Sequence, residues 1–374
     1  MKTRKLLMVA LMSGGLFSCS HTSNNNNGDW VTKSVFAGAD RIGAVSFTLN
    51  NLGYVATGFD GTDYYNDMWS YDPMANSWAE LDSFPGPKRA LAVAFATSKY
   101  GYVGYGWNGS GVEISGAVLY YLNDFYKFDP NGNVWSAIPS VPTPNGLGRQ
   151  EAVAFGIGAP YNIGGVLGGI AQSVKYKDFY LWDEGTNSWT AGDYPGPKRV
   201  GSVSWVHNNK AYIVTGTGDN DQNLSDFWTY DPSKGRDSAW GDSVRRIFGI
   251  TDQSYDAGYH IQRTNAVAFT GVNNGVPKAY VALGSNGPGL ADCWEYDYTQ
   301  DLWTQKNNFP GVARVGAIAM TLSTPNSVTG VMEPHGYIGL GGPSLQVGAG
   351  GTLFSDFTEF YPDLAFNPDS YYQQ

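Results

Sequence analysis

FPGPKRALAVAFA at residues 84–96 and YPGPKRVGSVSWV at 194–206 are two spellings of one pattern. A proline-glycine turn delivers an arginine, and behind it runs a short strand of small residues around a valine. Aligned on the arginine, the pattern starts six times, at Arg41, Arg89, Arg149, Arg199, Arg263 and Arg314, with spacings of 48, 60, 50, 64 and 51. The strands that follow read IGAVSF, ALAVAF, QEAVAF, VGSVSW, TNAVAF and VGAIAM. Small residues hold their third and fifth places, which suits a position where backbones crowd, as at the axis of a ring. A repeat of this length across the chain predicts an array of similar units.

Two more strands recur in each unit. One ends in glycine: GYVATG, GYVGYG, YNIGG, AYIVTG, AYVALG, GYIGLG. Glycine there permits positive φ or a close backbone approach on leaving the strand. The next is aromatic and opens on an aspartate at 67, 124, 178, 226, 292 and 356: NDMWSYD, NDFYKFD, KDFYLWD, SDFWTYD, ADCWEYD, SDFTEFY. Trp78, Trp135, Trp189 and Trp303 follow the closing aspartate of this strand by six residues, and Trp240 follows Asp231 by nine. Asp, Asn, Pro and Gly between them are turn residues, so the third and fourth strands form a hairpin.

Each unit is thus a four-stranded antiparallel meander, and the glycine exit, aromatic third strand and later tryptophan resemble the Kelch repeat. The resemblance covers residues 29 to about 363, although a full Gly-Gly pair stands only at Gly164-Gly165 and Gly341-Gly342. It implies an all-β fold, a six-bladed Kelch-type β-propeller. The sixth unit stops after FTEFYPD without a tryptophan, while DWVTKSVFAGADR at 29–41 aligns with SWAELDSFPGPKR at 77–89. The N-terminal strand, with Trp30, is therefore expected to complete the last blade. Closure of this kind leaves only short edges exposed.

The chain begins with a basic MKTRK, a short apolar LLMVALMSGGLF and the tetrapeptide LFSC, a leader pattern too short to span a bilayer as a helix. It resembles a bacterial lipoprotein signal over 1–18, with Cys19 as the lipid-bearing residue and 19–28 as a polar tether. The propeller then occupies 29–363 and a C-terminal tail 364–374. The expected place is the bacterial cell envelope, the outer membrane rather than the inner, with the lipid as the membrane contact. Loss of Lys2, Arg4 and Lys5 with the leader moves the formal charge from −10 to −13. An acidic chain argues against nucleic acid as partner, since phosphate binding needs a basic stripe. With Cys19 acylated, only Cys293 remains, so no disulfide framework is expected.

Function is sought where the repeats differ. The six arginines sit on loops around one mouth of the axis, and two readings stand for them. As a ring of guanidinium forks they would bind an anionic sugar, an acidic peptide or a protein partner, and the Kelch resemblance implies arginines lining such a pocket. As latches they would each pair with a third-strand aspartate. Tyr64, Tyr65 and Trp107 on the intervening loops offer aromatic faces for a sugar ring. No cofactor is expected, and His207, His260 and His335 lack metal-ligand spacing. Kelch-type copper oxidases need a cross-linked Cys–Tyr that cannot be read here. The favoured reading is a lipid-anchored binding module for a glycan, peptide or protein. The alternative, which the resemblance to periplasmic six-bladed Kelch proteins implies, is a sugar-acid mutarotase or epimerase of the sialic acid type. Its acid/base would be Glu113 or Glu151, and Glu151 is the stronger candidate because the other five repeats place Gly, Leu, Gly, Asn and Gly there.

Overall fold

The computed structural model describes residues 27–114, 116–235, 238–241, 260–326, 329–348 and 350–370. Cys19, the leader and most of the tether lie outside the described residues, as do Arg245 and Arg246 in the insertion of the fourth unit.

Each of the six units folds as a four-stranded antiparallel sheet. Blade 1 runs Val45–Leu49, Leu52–Ala56, Met68–Asp72 and Ser77–Leu81, with Phe47 opposite Tyr54, Val55 opposite Trp69 and Tyr71 opposite Trp78. The first strands of successive blades neighbour one another, and Ile318–Pro325 of blade 6 returns to Val45–Leu49 of blade 1. In these strands the pleat points Val45, Phe47 and Leu49 into the blade stack, whereas Ser46 faces the axial channel. The small axial residues let the strands converge: Ser46 donates across the blade boundary to the Ala319 carbonyl (2.8 Å) and Ser204 to that of Ala154 (2.6 Å). Gly156 approaches so closely that a Cβ would sit 1.9 Å from the Ala96 carbonyl oxygen.

Aromatic rings fill the wedges between blades. Phe47 stacks on Tyr54 at 5.0 Å, and Phe128 of blade 2 meets Tyr54 edge-on at 5.4 Å. Blade 6 is completed by Asp29–Thr32, which pairs with Phe357–Tyr361 and places Trp30 opposite Phe360. Trp30 is 1% exposed and packs on Phe360 (4.5 Å), Phe309 (5.3 Å) and Phe269 (6.4 Å), so the chain's first strand locks blade 6 to blade 5. The segment after the last strand folds back on this closure: the Leu364 carbonyl accepts from Gly28 and the Asp29 carboxylate from the Asn367 amide.

Two features depart from the sequence pattern. In blade 3 the second strand does not end at Gly164-Gly165; it runs Ile163–Leu167 and leaves at Gly168-Gly169, which carry the positive φ of +70° and +90°. Gly164 and Gly165 are small because the Phe95 and Phe155 rings press on them. In blade 2 the link between second and third strands is itself a hairpin, Trp107–Ile114 with Ala117–Tyr121.

Blade 6 also buries a polar cluster. The Glu359 carboxylate, fully buried, accepts from Lys33 (2.5 Å), Thr324 (2.6 Å) and Tyr361 (2.7 Å) and lies 2.9 Å from His335 Nδ1. Burial works against its charge, but His335, Lys33 and Thr324 outweigh it and hold the carboxyl down to about 2.

Two outcomes are expected. Trp30→Ala should lower unfolding free energy by about 3–5 kcal/mol in denaturant titration, the cost of removing a buried large aromatic; an unchanged midpoint contradicts the closure. Because the folded Glu359 value lies below the ordinary 4.5, its stabilisation is full above that pH and fades as pH falls toward 2. Thermal melts should therefore show Glu359→Gln less stable than wild type at pH 6, with the gap closing at pH 2–3.

Candidate functional site

The geometry of the mouth begins with six identical corners. Each second strand ends in two residues of positive φ: Thr57-Gly58, Tyr105-Gly106, Gly168-Gly169, Thr215-Gly216, Leu283-Gly284 and Leu340-Gly341. The carbonyl of the first accepts from the arginine Nη1 of the same blade, as Thr57 does from Arg41 (3.0 Å) and Tyr105 from Arg89 (2.9 Å). The glycine N–H donates to the backbone carbonyl of the next blade's arginine, as Gly58 does to Arg89 (2.8 Å) and Gly341 does to Arg41 (3.0 Å). Each arginine therefore braces its own blade with its side chain and holds the preceding blade with its backbone.

Every one of the six guanidinium groups is paired with the aspartate that opens the third strand of its own blade. Arg41 binds both oxygens of Asp67 (2.5 and 2.7 Å), Arg89 those of Asp124 (2.6 and 2.7 Å), Arg263 those of Asp292 (2.6 and 2.8 Å) and Arg314 those of Asp356 (2.5 and 2.9 Å). Arg149 likewise grips both oxygens of Asp178, whereas Arg199 reaches Asp226 through Nη2 on Oδ2 alone. The arginines are at most 2% exposed, whereas the aspartates keep 17–28% of their side chains open. The aromatic residue two places on shares the carboxylate: Trp69 donates to Asp67 (2.8 Å), Trp228 to Asp226 (2.5 Å) and Trp294 to Asp292 (2.7 Å). Burial opposes the charge of Asp67, yet Arg41 and Trp69 hold its carboxyl below the usual range. Of the two readings of the arginines, the geometry is that of latches. Solvent at the mouth meets carboxylate edges, not guanidinium groups.

Two residues past each arginine the chain turns over the axis in the left-handed region: Gly43 (+64°), Leu91 (+53°), Glu151 (+53°), Gly201 (+65°), Asn265 (+52°) and Gly316 (+60°). Their amides hand on around the mouth, Gly43 to Gly316, Leu91 to Gly43, Glu151 to Leu91, Gly201 to Glu151 and Asn265 to Gly201, at 2.8–3.0 Å. This collar rims a space of about 120 Å³ at the head of the axial channel. A left-handed conformation costs a Leu or Glu roughly 1–2 kcal/mol, so the collar holds these side chains in place against their backbone preference.

Glu151 is half-buried in the rim. Its Oε2 accepts from Asn265 Nδ2 across the mouth (3.2 Å) and its Oε1 from Gln150 Nε2 (3.4 Å). The Asn265 amide crosses over Gly201, where a Cβ would stand 2.8 Å from Asn265 Oδ1. Burial pushes the Glu151 carboxyl up, against the Asn265 amide and the charge of Lys175.

Beside the rim lies a cleft of about 470 Å³. One wall is aromatic: Phe59 stacks on Tyr64 at 4.5 Å, and Trp107 meets Tyr64 edge-on at 5.8 Å. Gln150 and Glu151 form the polar side, and the loop at Leu345–Val347 of blade 6 closes the far end. Strand-like bridges fix the wall, Phe59 to Ile42 and to Tyr64, and Trp107 to Ala90. Tyr64, Trp107 and Glu151 thus come together, as the sequence brought each forward separately. Tyr65 does not join them; its hydroxyl donates to Asp60 (2.5 Å) and its ring covers Arg41 at 4.3 Å. Glu113 is exposed on the hairpin strand. Phe59, Gln150 and the 345–347 loop are lining residues with no repeat signal, and only the fold brings them to the cleft.

The remaining candidates are structural. His335 belongs to the Glu359 cluster, His207 stacks on Tyr298 at 3.8 Å, and no group of His, Cys, Asp or Glu suited to a metal occurs among the described residues. Cys293 is buried in a third strand, and burial pushes its thiol well up.

The six-bladed ring defines the chain as a β-propeller, and its repeats make it one of the Kelch type. A sequence model of the Kelch motif matches residues 41–85, one blade from its arginine to the next corner. Among solved structures, YjhT superposes with a TM-score of 0.59 at 16% identity, covering 86% of this chain and 95% of that one. At that identity the likeness is one of fold. No curated protein matches the sequence.

If the latches are structural, Asp124→Asn leaves the Arg89 guanidinium buried without a counter-charge and should cost about 3–5 kcal/mol. Denaturant titration measures this; a loss under 1 kcal/mol contradicts the latch.

Proposed function

We propose that this protein is a cell-envelope binding module, held to a membrane by a lipid on Cys19, that takes a carbohydrate-sized ligand in the cleft beside the axial mouth. The observation that carries the reading is the preformed aromatic wall of Phe59, Tyr64 and Trp107 facing Gln150 and Glu151 across about 470 Å³. Ligand sites combine an apolar face with a few convergent polar groups in volumes of about 300–1,000 Å³, and a sugar ring presents that same pairing of CH face and hydroxyl edge. Among the described residues no Lys or Arg lines the cleft, so these residues give a sugar acid no carboxylate clamp there, and the isomerase alternative rests on Glu151.

The anchoring half of the proposal rests on the LFSC leader. It is supported by where the chain enters the fold. Asp29 pairs with Tyr361, at the end of the third strand away from Asp356 and the mouth. The described chain thus enters the propeller at the face away from the mouth.

A glycan array probed with the chain lacking residues 1–28 should give hits among neutral glycans, and Trp107→Ala should weaken a confirmed hit by about ten-fold or more, equal to about 1.4 kcal/mol. An array without hits, or a Trp107→Ala variant that binds as wild type, contradicts the cleft. A Cys19→Ala variant of the full chain that still incorporates labelled palmitate contradicts the anchor.

A further inference from the structure

We infer that the cleft selects a ligand bearing a protonated amine, with Glu151 as counter-ion and the Phe59–Tyr64–Trp107 wall as the second contact. This deepens the reading of the cleft as a ligand site and rests on it.

The first ground is the charge inventory. Among the described residues Glu151 is the one carboxyl lining the cleft, and the Tyr64 hydroxyl, the other titratable group there, accepts from the Gly109 amide at 2.9 Å. The six repeat arginines are each paired with an aspartate. Lys175, the charged side chain that acts on Glu151, is itself bound to Asp221 (2.5 Å) and to the Gly218 carbonyl. An anion in the cleft would face Glu151 with no unpaired cation among the described lining residues to offset it.

The second ground is the unfilled capacity of the carboxylate. Two oxygens offer about four acceptor positions, and Glu151 fills two of them with long bonds from neutral amides, at 3.2 and 3.4 Å. The residue lines both the cleft and the axial space below the collar, and its backbone is held left-handed by the collar bonds on either side. A carboxylate fixed beside aromatic faces is the arrangement that recognises ammonium groups, through the ion pair and the ring quadrupole together. Neutral hydroxyls gain from the aromatic wall alone.

Burial raises the Glu151 carboxyl, and the charged groups that face it are Lys175 directly and Asp221 through Lys175. A bound ammonium favours the ionised form, so binding releases a proton and tightens as pH rises through the Glu151 titration.

The test uses D-glucosamine as the ammonium probe and D-glucose and N-acetyl-D-glucosamine as neutral controls. Binding is followed at pH 6 by the indole N–H resonance of Trp107 and by calorimetry in two buffers. The expected result is at least about ten-fold tighter binding of glucosamine, equal to about 1.4 kcal/mol, with proton release. In Glu151→Gln the gap between ammonium and neutral probes should close to within about two-fold. Should that variant fail to melt cooperatively, the proton release of the wild type carries the test. Equal affinity of charged and neutral sugars overturns the inference and leaves the cleft reading standing. A preference for glucosamine that survives in Glu151→Gln, or no response to glucosamine, overturns it as well. The glycan array judges the cleft separately, since it scores neutral glycans.

Discussion

The structure depends on a buried ion pair repeated six times. A guanidinium group has five donors in a fixed plane, enough to grip a carboxylate with two and still reach a corner carbonyl. Arg263 does this with Asp292 and the Leu283 carbonyl, and adds the His260 and Ile261 carbonyls. Buried pairs of this kind contribute little net stability when compared with apolar packing, but breaking one is costly. Their value here is geometric. The arginine fixes the two-residue corner at the end of the second strand, and the corner's glycine then reaches the backbone of the next arginine. Arginine, aspartate and glycine, scattered through each repeat, form one device that sets both the blade and its neighbour.

That device determines what is left for ligand recognition. Guanidinium groups turned into the protein cannot serve at the mouth, and the exposed edge of each pair is a carboxylate. Distinctive chemistry falls instead on the collar just past the arginines, where three glycines share the ring with Leu91, Glu151 and Asn265. Gly201 leaves room for the Asn265 amide to reach Glu151, and Gly43 lies under Leu91, whose side chain a Cβ at position 43 would meet at 2.8 Å. The cleft opens on the side where Glu151 meets the loops of blades 1, 2 and 6.

The propeller was legible because its determinants recur. The Asp–x–aromatic pattern of the third strand stands in five of the six units, and in four of them it is a hydrogen bond, from Trp69, Tyr180, Trp228 or Trp294 to the aspartate two residues before it. Trp30 was legible by the same logic, as the missing member of a series. The direction in which the arginines point was not, since a ring and a set of latches place them at the same sequence positions. The left-handed collar was hidden as well: glycine marks three of its positions, but Leu91, Glu151 and Asn265 give no conformational signal. Tyr64 and Trp107 were visible as loop aromatics, whereas their meeting with Phe59 and Gln150 is a product of adjacent blades, which repeat spacing does not encode.

The arginine latches set the ring, and the cleft beside the mouth is the proposed ligand site. Crystals of the chain lacking residues 1–28, soaked separately with a neutral monosaccharide and with glucuronic acid, test this most directly. Sugar density is expected against Trp107 beside Glu151, with all six arginine–aspartate pairs intact in both crystals. A glucuronate carboxylate bound by two hydrogen bonds to any of the six arginines, with its aspartate displaced, would contradict it.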